Sequence, residues 1–449
     1  MSHRLLTAAA FIALGLWCVS TGAGQTYPVY PFDTVPHSKD VRQIGYVDSE
    51  PSLKMDIQEA NGRWYLYVAH YWPPHGWSVL DVTDPKTPKV VKRIPLDTTP
   101  NATDTTQIAV ADGLMLVSLE LYGMGGADPK AYFDEGVRIY DVKTDPSNPR
   151  LLGQWKTRAR GTHRITYFGG KYAHVSASVP DCTGNIYVIL DVSNPANPRE
   201  AGRWHVPGQC KGDTGTAPEG TALHGAMADS DNIAYLAYQG AGFYMLDISD
   251  PANIKLKGHL AFAPPFKSQL GIHSAYPLPG LYDPFPLKNR KLALVNGETS
   301  AEGCDEPLIP AALVDITDMT KPTLVSILPT PVPPQGAPYK NFCEKWGRVG
   351  WHNSNDLFRN PLVLHSHGLA YMTWFNAGLR ILNISDPRLP VEVGYYIPPN
   401  PKKKLSPMLP RTAHVAQSQY ALVDKRGFIY MSDWNQGIFV LEYTGSANK

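Results

Sequence analysis

One phrase recurs along this chain and limits what the chain can fold into. It is a short run of alternating apolar residues that ends on an acidic residue and a proline turn. It reads Ser78-Val-Leu-Asp-Val-Thr-Asp-Pro85, Arg138-Ile-Tyr-Asp-Val-Lys-Thr-Asp-Pro146 and Tyr187-Val-Ile-Leu-Asp-Val-Ser-Asn-Pro195. It returns as Tyr244-Met-Leu-Asp-Ile-Ser-Asp-Pro251, Ala312-Leu-Val-Asp-Ile-Thr-Asp318 and Arg380-Ile-Leu-Asn-Ile-Ser-Asp-Pro387. A last copy, Phe439-Val-Leu-Glu-Tyr443, comes near the C-terminus. Successive copies lie 50 to 68 residues apart. Alternation with period two makes each copy a strand, and proline's fixed φ makes the following dipeptide a turn. A repeat of this length is the mark of a repeated supersecondary unit.

Composition agrees with a strand-and-turn protein. The 449 residues include 41 Pro and 38 Gly without collagen periodicity, which means many tight turns. Apolar residues reach 43%, too many for a disordered chain. Lys and Arg number 41 against 40 Asp and Glu, so the chain lacks the basic excess of a nucleic-acid binder.

Upstream of each phrase lie two further strand-like runs, such as Asn232-Ile-Ala-Tyr-Leu-Ala-Tyr238, and one short run follows, such as Leu151-Leu-Gly-Gln-Trp155. Four antiparallel strands per repeat is the blade of a β-propeller. Seven phrases predict an all-β, seven-bladed propeller over residues 40–445. The last unit lacks an outer strand, and Val41-Arg-Gln-Ile-Gly-Tyr-Val47 supplies one from the N-terminal end, closing the ring without a free edge. Residues 25–39 are then an extension and 446–449 a tail.

Residues 1–24 read as a secretory signal. Arg4 precedes an apolar run from Leu5 to Val19, and small residues lead to a cleavage position near Gly24. Bulky Trp17 before Cys18 argues against lipidation. The expected location is secreted or periplasmic, with no membrane span. Four cysteines remain after cleavage, Cys182, Cys210, Cys304 and Cys343, and an exported chain should pair them as disulfides. Of three connectivities, the spacing favours neighbouring pairs. A metal–thiolate site would ask for a Cys-x-x-Cys pair, which the chain lacks.

The phrases resemble those of the LVIVD-repeat β-propeller proteins, a family named for this strand. The resemblance spans nearly the whole mature chain and implies the fold. It implies nothing about activity, because the shared motif is structural.

Function in a propeller belongs at the mouth of the central channel, where the innermost strands begin. Aligning those starts places His163, His224, His273, His352 and His414 in one column, with Met55 and Thr106 in the remaining two units. Five of only 14 histidines in one position is far from a random scatter. Copying of one packing histidine by duplication is the plain alternative. Crowded imidazoles repel when protonated, however, and a bound cation removes that conflict. The expected site is therefore a transition-metal centre held by these five histidines. Copper is favoured by affinity order and by an oxidising compartment, and iron(II) comes second. The arrangement is similar in architecture alone to the four inner-strand histidines of carotenoid cleavage dioxygenases.

Residues ending the second strands should face the same mouth. Glu298 and Asp433 are candidates for proton transfer or for orienting ligands. His70, Tyr71, Glu120 and Trp374 are candidates for a substrate rim, with His75 nearby. His365 and His367 fall in a turn. Long insertions at 206–221, 296–310 and 329–350 should roof the site and carry the disulfides. The expectation is an exported metal-dependent oxidoreductase acting on a small, aromatic or otherwise apolar substrate. The alternative is a non-enzymatic propeller that displays loops to a protein or glycan, with structural histidines.

Overall fold

The computed structural model describes residues 30–446 apart from 73, 97–102, 122–132, 265, 284–285, 404 and 406–413. The expected signal segment and the tail beyond 446 lie outside the described residues. Within them the chain is all-β, with only two short 3₁₀ turns, Pro31–Thr34 and Phe375–Ala377. No described helix is long and apolar enough to cross a membrane.

One antiparallel four-stranded meander recurs. In its first form it runs Ser52–Ala60, Arg63–His70, Trp77–Asp81 and Lys89–Ile94, each strand pairing with the next. The repeated phrase forms the third strand every time, from Trp77–Asp81 to Gly437–Tyr443. Two such meanders share one nine-stranded sheet, joined where Gly161 pairs with Glu120. The last sheet takes its outer strand from the other end of the chain: Val41–Val47 pairs with Gly437–Tyr443. His37–Lys39 adds a fifth strand beside Val391–Ile397. The arrangement is propeller-like.

The phrase has a local physical reason. Its central Asp or Asn caps the chain two residues on, as in Thr83 N–H to Asp81 Oδ1 at 3.0 Å and Ser385 N–H to Asn383 Oδ1 at 2.9 Å. The Asp or Asn before proline repeats the device, with Lys86 N–H on Asp84 and Ala252 N–H on Asp250, both at 3.0 Å. Two consecutive side-chain-capped turns thus end the third strand in six of the seven copies. In five units the fourth strand then presents a glycine to a neighbouring unit, at Gly45, Gly153, Gly202, Gly258 and Gly394. A Cβ on Gly202 would stand 1.8 Å from the Pro251 carbonyl oxygen, and one on Gly45 would stand 2.3 Å from that of Pro85. Apolar side chains between sheets form the core, as with Met55, Ile57, Leu66, Tyr420 and Val440.

Candidate metal centre

The innermost strands share an irregularity that sets the site. Their register with the second strand shifts between Thr162 and Arg164, between Ile272 and Ser274, and between Trp351 and Ser354. The extra residue in the first two is His163 and His273, and His352 lies in the third gap. A bulge re-aims a side chain out of the sheet's alternation. His224 sits just before Gly225–Ala228, its N–H bonded to the Ala237 carbonyl. Glycine two residues ahead makes room in three of the four cases. Gly161, Gly271 and Gly350 have φ of 101°, 75° and 134°, and a Cβ on Gly161 would fall 2.2 Å from the Leu119 carbonyl oxygen. Only glycine lets the inner strand lie this close to the preceding unit.

The four imidazoles converge. Nε2 of His163 lies 2.9 Å from Nε2 of His224, and ring centroids step 4.1 Å from His224 to His273 and 4.8 Å on to His352. Glu298, ending the strand Leu292–Glu298, reaches into the cluster. Its Oε2 is 3.3 Å from His273 Nε2 and 3.8 Å from His224 Nε2, while Oε1 is 3.6 Å from His352 Nε2. His224, His273 and Glu298 form a buried group with ligand atoms all within 4.8 Å of one another.

Outer contacts orient the rings. His163 Nδ1–H donates to Glu120 Oε1 at 2.7 Å, and His224 Nδ1–H donates to the His273 carbonyl at 3.0 Å. Both partners accept, so each Nδ1 holds a ring proton and the two Nε2 atoms are turned toward each other. They lie 2.9 Å apart, a contact that Nε2–H of a protonated His163 satisfies by donating to His224. A cation held by both nitrogens would satisfy the same contact. Burial pushes His224, His273 and His352 well below the ordinary histidine value, and nearby cations push the same way. They are neutral, as ligands must be. Burial also lowers His163, but the Glu120 charge and hydrogen bond outweigh it and its value is raised.

The cluster floors a cavity of about 320 Å³. Tyr71, Trp72 and Trp434 form an aromatic wall, Leu53, Leu223 and Leu270 add apolar surface, and Glu120, Arg160, Arg164 and Arg348 are the charged groups around it with Asp104 and Glu298. Arg348 Nη2 donates to Glu298 Oε1 at 2.5 Å, and its guanidinium lies over the Phe375 ring. Arg164 Nη2 donates to His273 Nε2 at 2.6 Å and to Asn353 Oδ1 at 2.9 Å. Further along the inner strands, Lys54, Asp356 and Tyr420 are mutually bonded and buried. The two disulfides join Cys182 to Cys210 and Cys304 to Cys343. The loops they tie contribute Ala222, Ser300 and Arg348 to the cavity.

Several expected residues lie elsewhere. His414 is exposed and does not line the cavity. In its unit the register shifts at Gln419, between Ser418 and Tyr420, so the aligned position is five residues further on. Met55 packs in the apolar core; Leu53 lines the cavity in that unit. Asp433 is buried beneath the turn, accepting from Gln417 N–H and Asn435 N–H. His70 is buried in its sheet, 2.7 Å from Ser78 Oγ, and Trp374 packs against Trp351. Neither belongs to the cavity rim, whereas Tyr71, Glu120 and Thr106 do line it. His365 bonds the Asn360 carbonyl in a turn. Arg164, Arg348 and Trp72 were not anticipated. The Gly-x-His spacing at 161, 271 and 350 is a sequence signal for the bulges, but a single arginine after a histidine carries none.

Comparison with known proteins identifies LVIVD repeats in the chain, at residues 169–206, 227–261 and 365–397. No curated protein matches. Among solved structures the chain is similar to the periplasmic gluconolactonase PpgL of Pseudomonas aeruginosa, with a TM-score of 0.52 and 10% identity over 85% of this chain and 96% of that one. It is also similar to a putative 6-phosphogluconolactonase of Bacteroides fragilis, at a TM-score of 0.47 and 11% identity over 87% and 98%. At these identities the first likeness bears on the fold alone.

Proposed function

We propose that this is an exported, seven-bladed propeller enzyme with a transition-metal centre held by His163, His224, His273 and Glu298, with His352 beside them. The carrying observation is the convergence of ligand-type atoms: Nε2 of His163 and of His224 meet at 2.9 Å, and His224, His273 and Glu298 offer ligand atoms all within 4.8 Å of one another. Seven meanders follow from dividing the nine-stranded sheet at Gly161, and the Val41–Val47 pairing with Gly437–Tyr443 supports a closed ring. Two disulfides support export.

Glu298 alters the choice of metal. His224, His273 and Glu298 make a two-histidine, one-carboxylate set of the kind that suits iron(II), with His163 as a fourth donor, so iron(II) moves ahead of copper. Such a centre supplies redox chemistry toward dioxygen and a bound substrate. The chain's own residues bind the substrate against Tyr71, Trp72 and Trp434, exclude water, and hold a proton on the Glu120–His163 pair. Ligation by His273 requires Arg164 to release its Nε2. Apoprotein reconstituted separately with iron(II), copper(II) and zinc(II) tests this reading. Substrate-dependent dioxygen uptake with iron(II), and none with zinc, is expected; uptake that is unchanged by chelation refutes it.

A second reading has one observation in its favour. Arg164 bonded to His273 and Glu120 bonded to His163 also make a metal-free acid–base site, suited to opening an ester or lactone. Lactone hydrolysis by chelator-treated protein would select it.

A further inference from the structure

We propose that the cavity's substrate is a small organic carboxylate and that Arg164 is its anchor. This rests on the reading of the cavity as a substrate site. Each carboxylate lining the cavity already has a partner. Glu298 is paired with Arg348 at 2.5 Å and Glu120 with His163 at 2.7 Å. Asp104 accepts the N–H groups of Trp72 and Thr105 through Oδ1, both at 3.1 Å.

Arg164 is the buried cation left over; Arg160, which also lines the cavity without an ion pair, is exposed. It is 5% exposed, lines the cavity, and has no carboxylate within 4.0 Å among the described residues. Its Nη2 bonds go to neutral groups, His273 and Asn353, and its Nε has no partner. A buried guanidinium without an anion is costly, and its fork geometry fits a carboxylate with two bonds. The charge is also fixed in place. It follows His163 directly after the register shift, and Asn353 holds it from the facing inner strand. When His273 Nε2 serves as a ligand, Arg164 loses one of its two neutral acceptors, and its need for an anion increases. Tyr71, Trp72, Trp434, Leu53, Leu223 and Leu270 give the lining apolar surface, which suits an apolar remainder of the molecule.

Phenylacetate, with its neutral counterpart phenylacetamide, probes this directly. Trp72 and Trp434 line the cavity, so binding reads out in tryptophan fluorescence. The full mature protein is titrated both chelator-treated and metal-loaded. Phenylacetate should bind at least about tenfold tighter than phenylacetamide in both forms. Arg164→Gln should erase the difference, and Arg164→Lys, which keeps the charge without the fork, should retain part of it. Thermal melts confirm folding, and the lysine variant carries the test if the glutamine variant does not fold. Equal binding of acid and amide, or a preference untouched in either variant, overturns the proposal. A preference present only with metal, and indifferent to Arg164, overturns the anchor while leaving the metal reading intact. A preference retained by protein that binds no metal upholds the anchor and removes the metal reading alone.

Discussion

Glu120 and His163 stand 2.7 Å apart, Oε1 to Nδ1, although they come from different strand meanders. The contact exists because Gly161 pairs with Glu120 and permits the inner strand to lie against it. It fixes which ring nitrogen faces the cavity.

Glu120→Gln should therefore weaken metal affinity by about 10- to 100-fold without unfolding the protein, the usual effect of removing an outer partner of a ligand histidine. The sign of the pH effect is specific. Glu120 raises His163, so proton and metal compete for its Nε2, and affinity climbs as pH rises past the ordinary value of 6.5. In the variant that climb should move to lower pH. Metal titrations at several pH values check both.

Asp104 gives a stability prediction. Burial pushes its carboxyl up to about 7, and the nearby Glu120 adds to this. The folded state then holds a proton that the unfolded state releases near 3.8, so the Asp104 contribution to stability falls as pH rises from about 4 to 7. Asp104→Asn keeps the Oδ1 acceptor and removes the titration. Urea unfolding should show the variant gaining on the parent across that window, by at most about 1.4 kcal/mol per pH unit.

How much of this was legible in the sequence follows from what each signal measures. The repeated phrase is local, since its side-chain-capped turns are made by residues two apart, and alternation alone marks the strands. The histidines at 163, 224, 273 and 352 were found because strand starts follow turns at nearly constant spacing. His414 failed because that spacing lengthens in the last unit, where the register shift lies at Gln419. Asp433 and Trp374 failed for a related reason: the end of a second strand can face the turn or the neighbouring sheet as readily as the cavity. Arg164 and Arg348 depend on contacts across units, 109 residues to His273 and 50 to Glu298, which no local pattern encodes.

The N-terminal extension bears on stability as well. Lys345 Nζ lies 3.4 Å from Asp33 Oδ1, both fully buried, and Tyr339 donates to the same oxygen. Lys345→Met leaves Asp33 without its cation and should cost about 3–5 kcal/mol. Adding Asp33→Asn should recover a large part. Denaturant unfolding of the double-mutant cycle reads the coupling; additive losses would show that the pair does not interact.

Metal content per chain tests the central claim most directly. Purified protein, loaded with iron(II) without oxygen and freed of excess, should hold one ion per chain. His224→Ala and Glu298→Ala should each lose it, while His414→Ala should keep it. Absence of stoichiometric metal in the parent protein, or full retention by the His224 variant, would contradict the account.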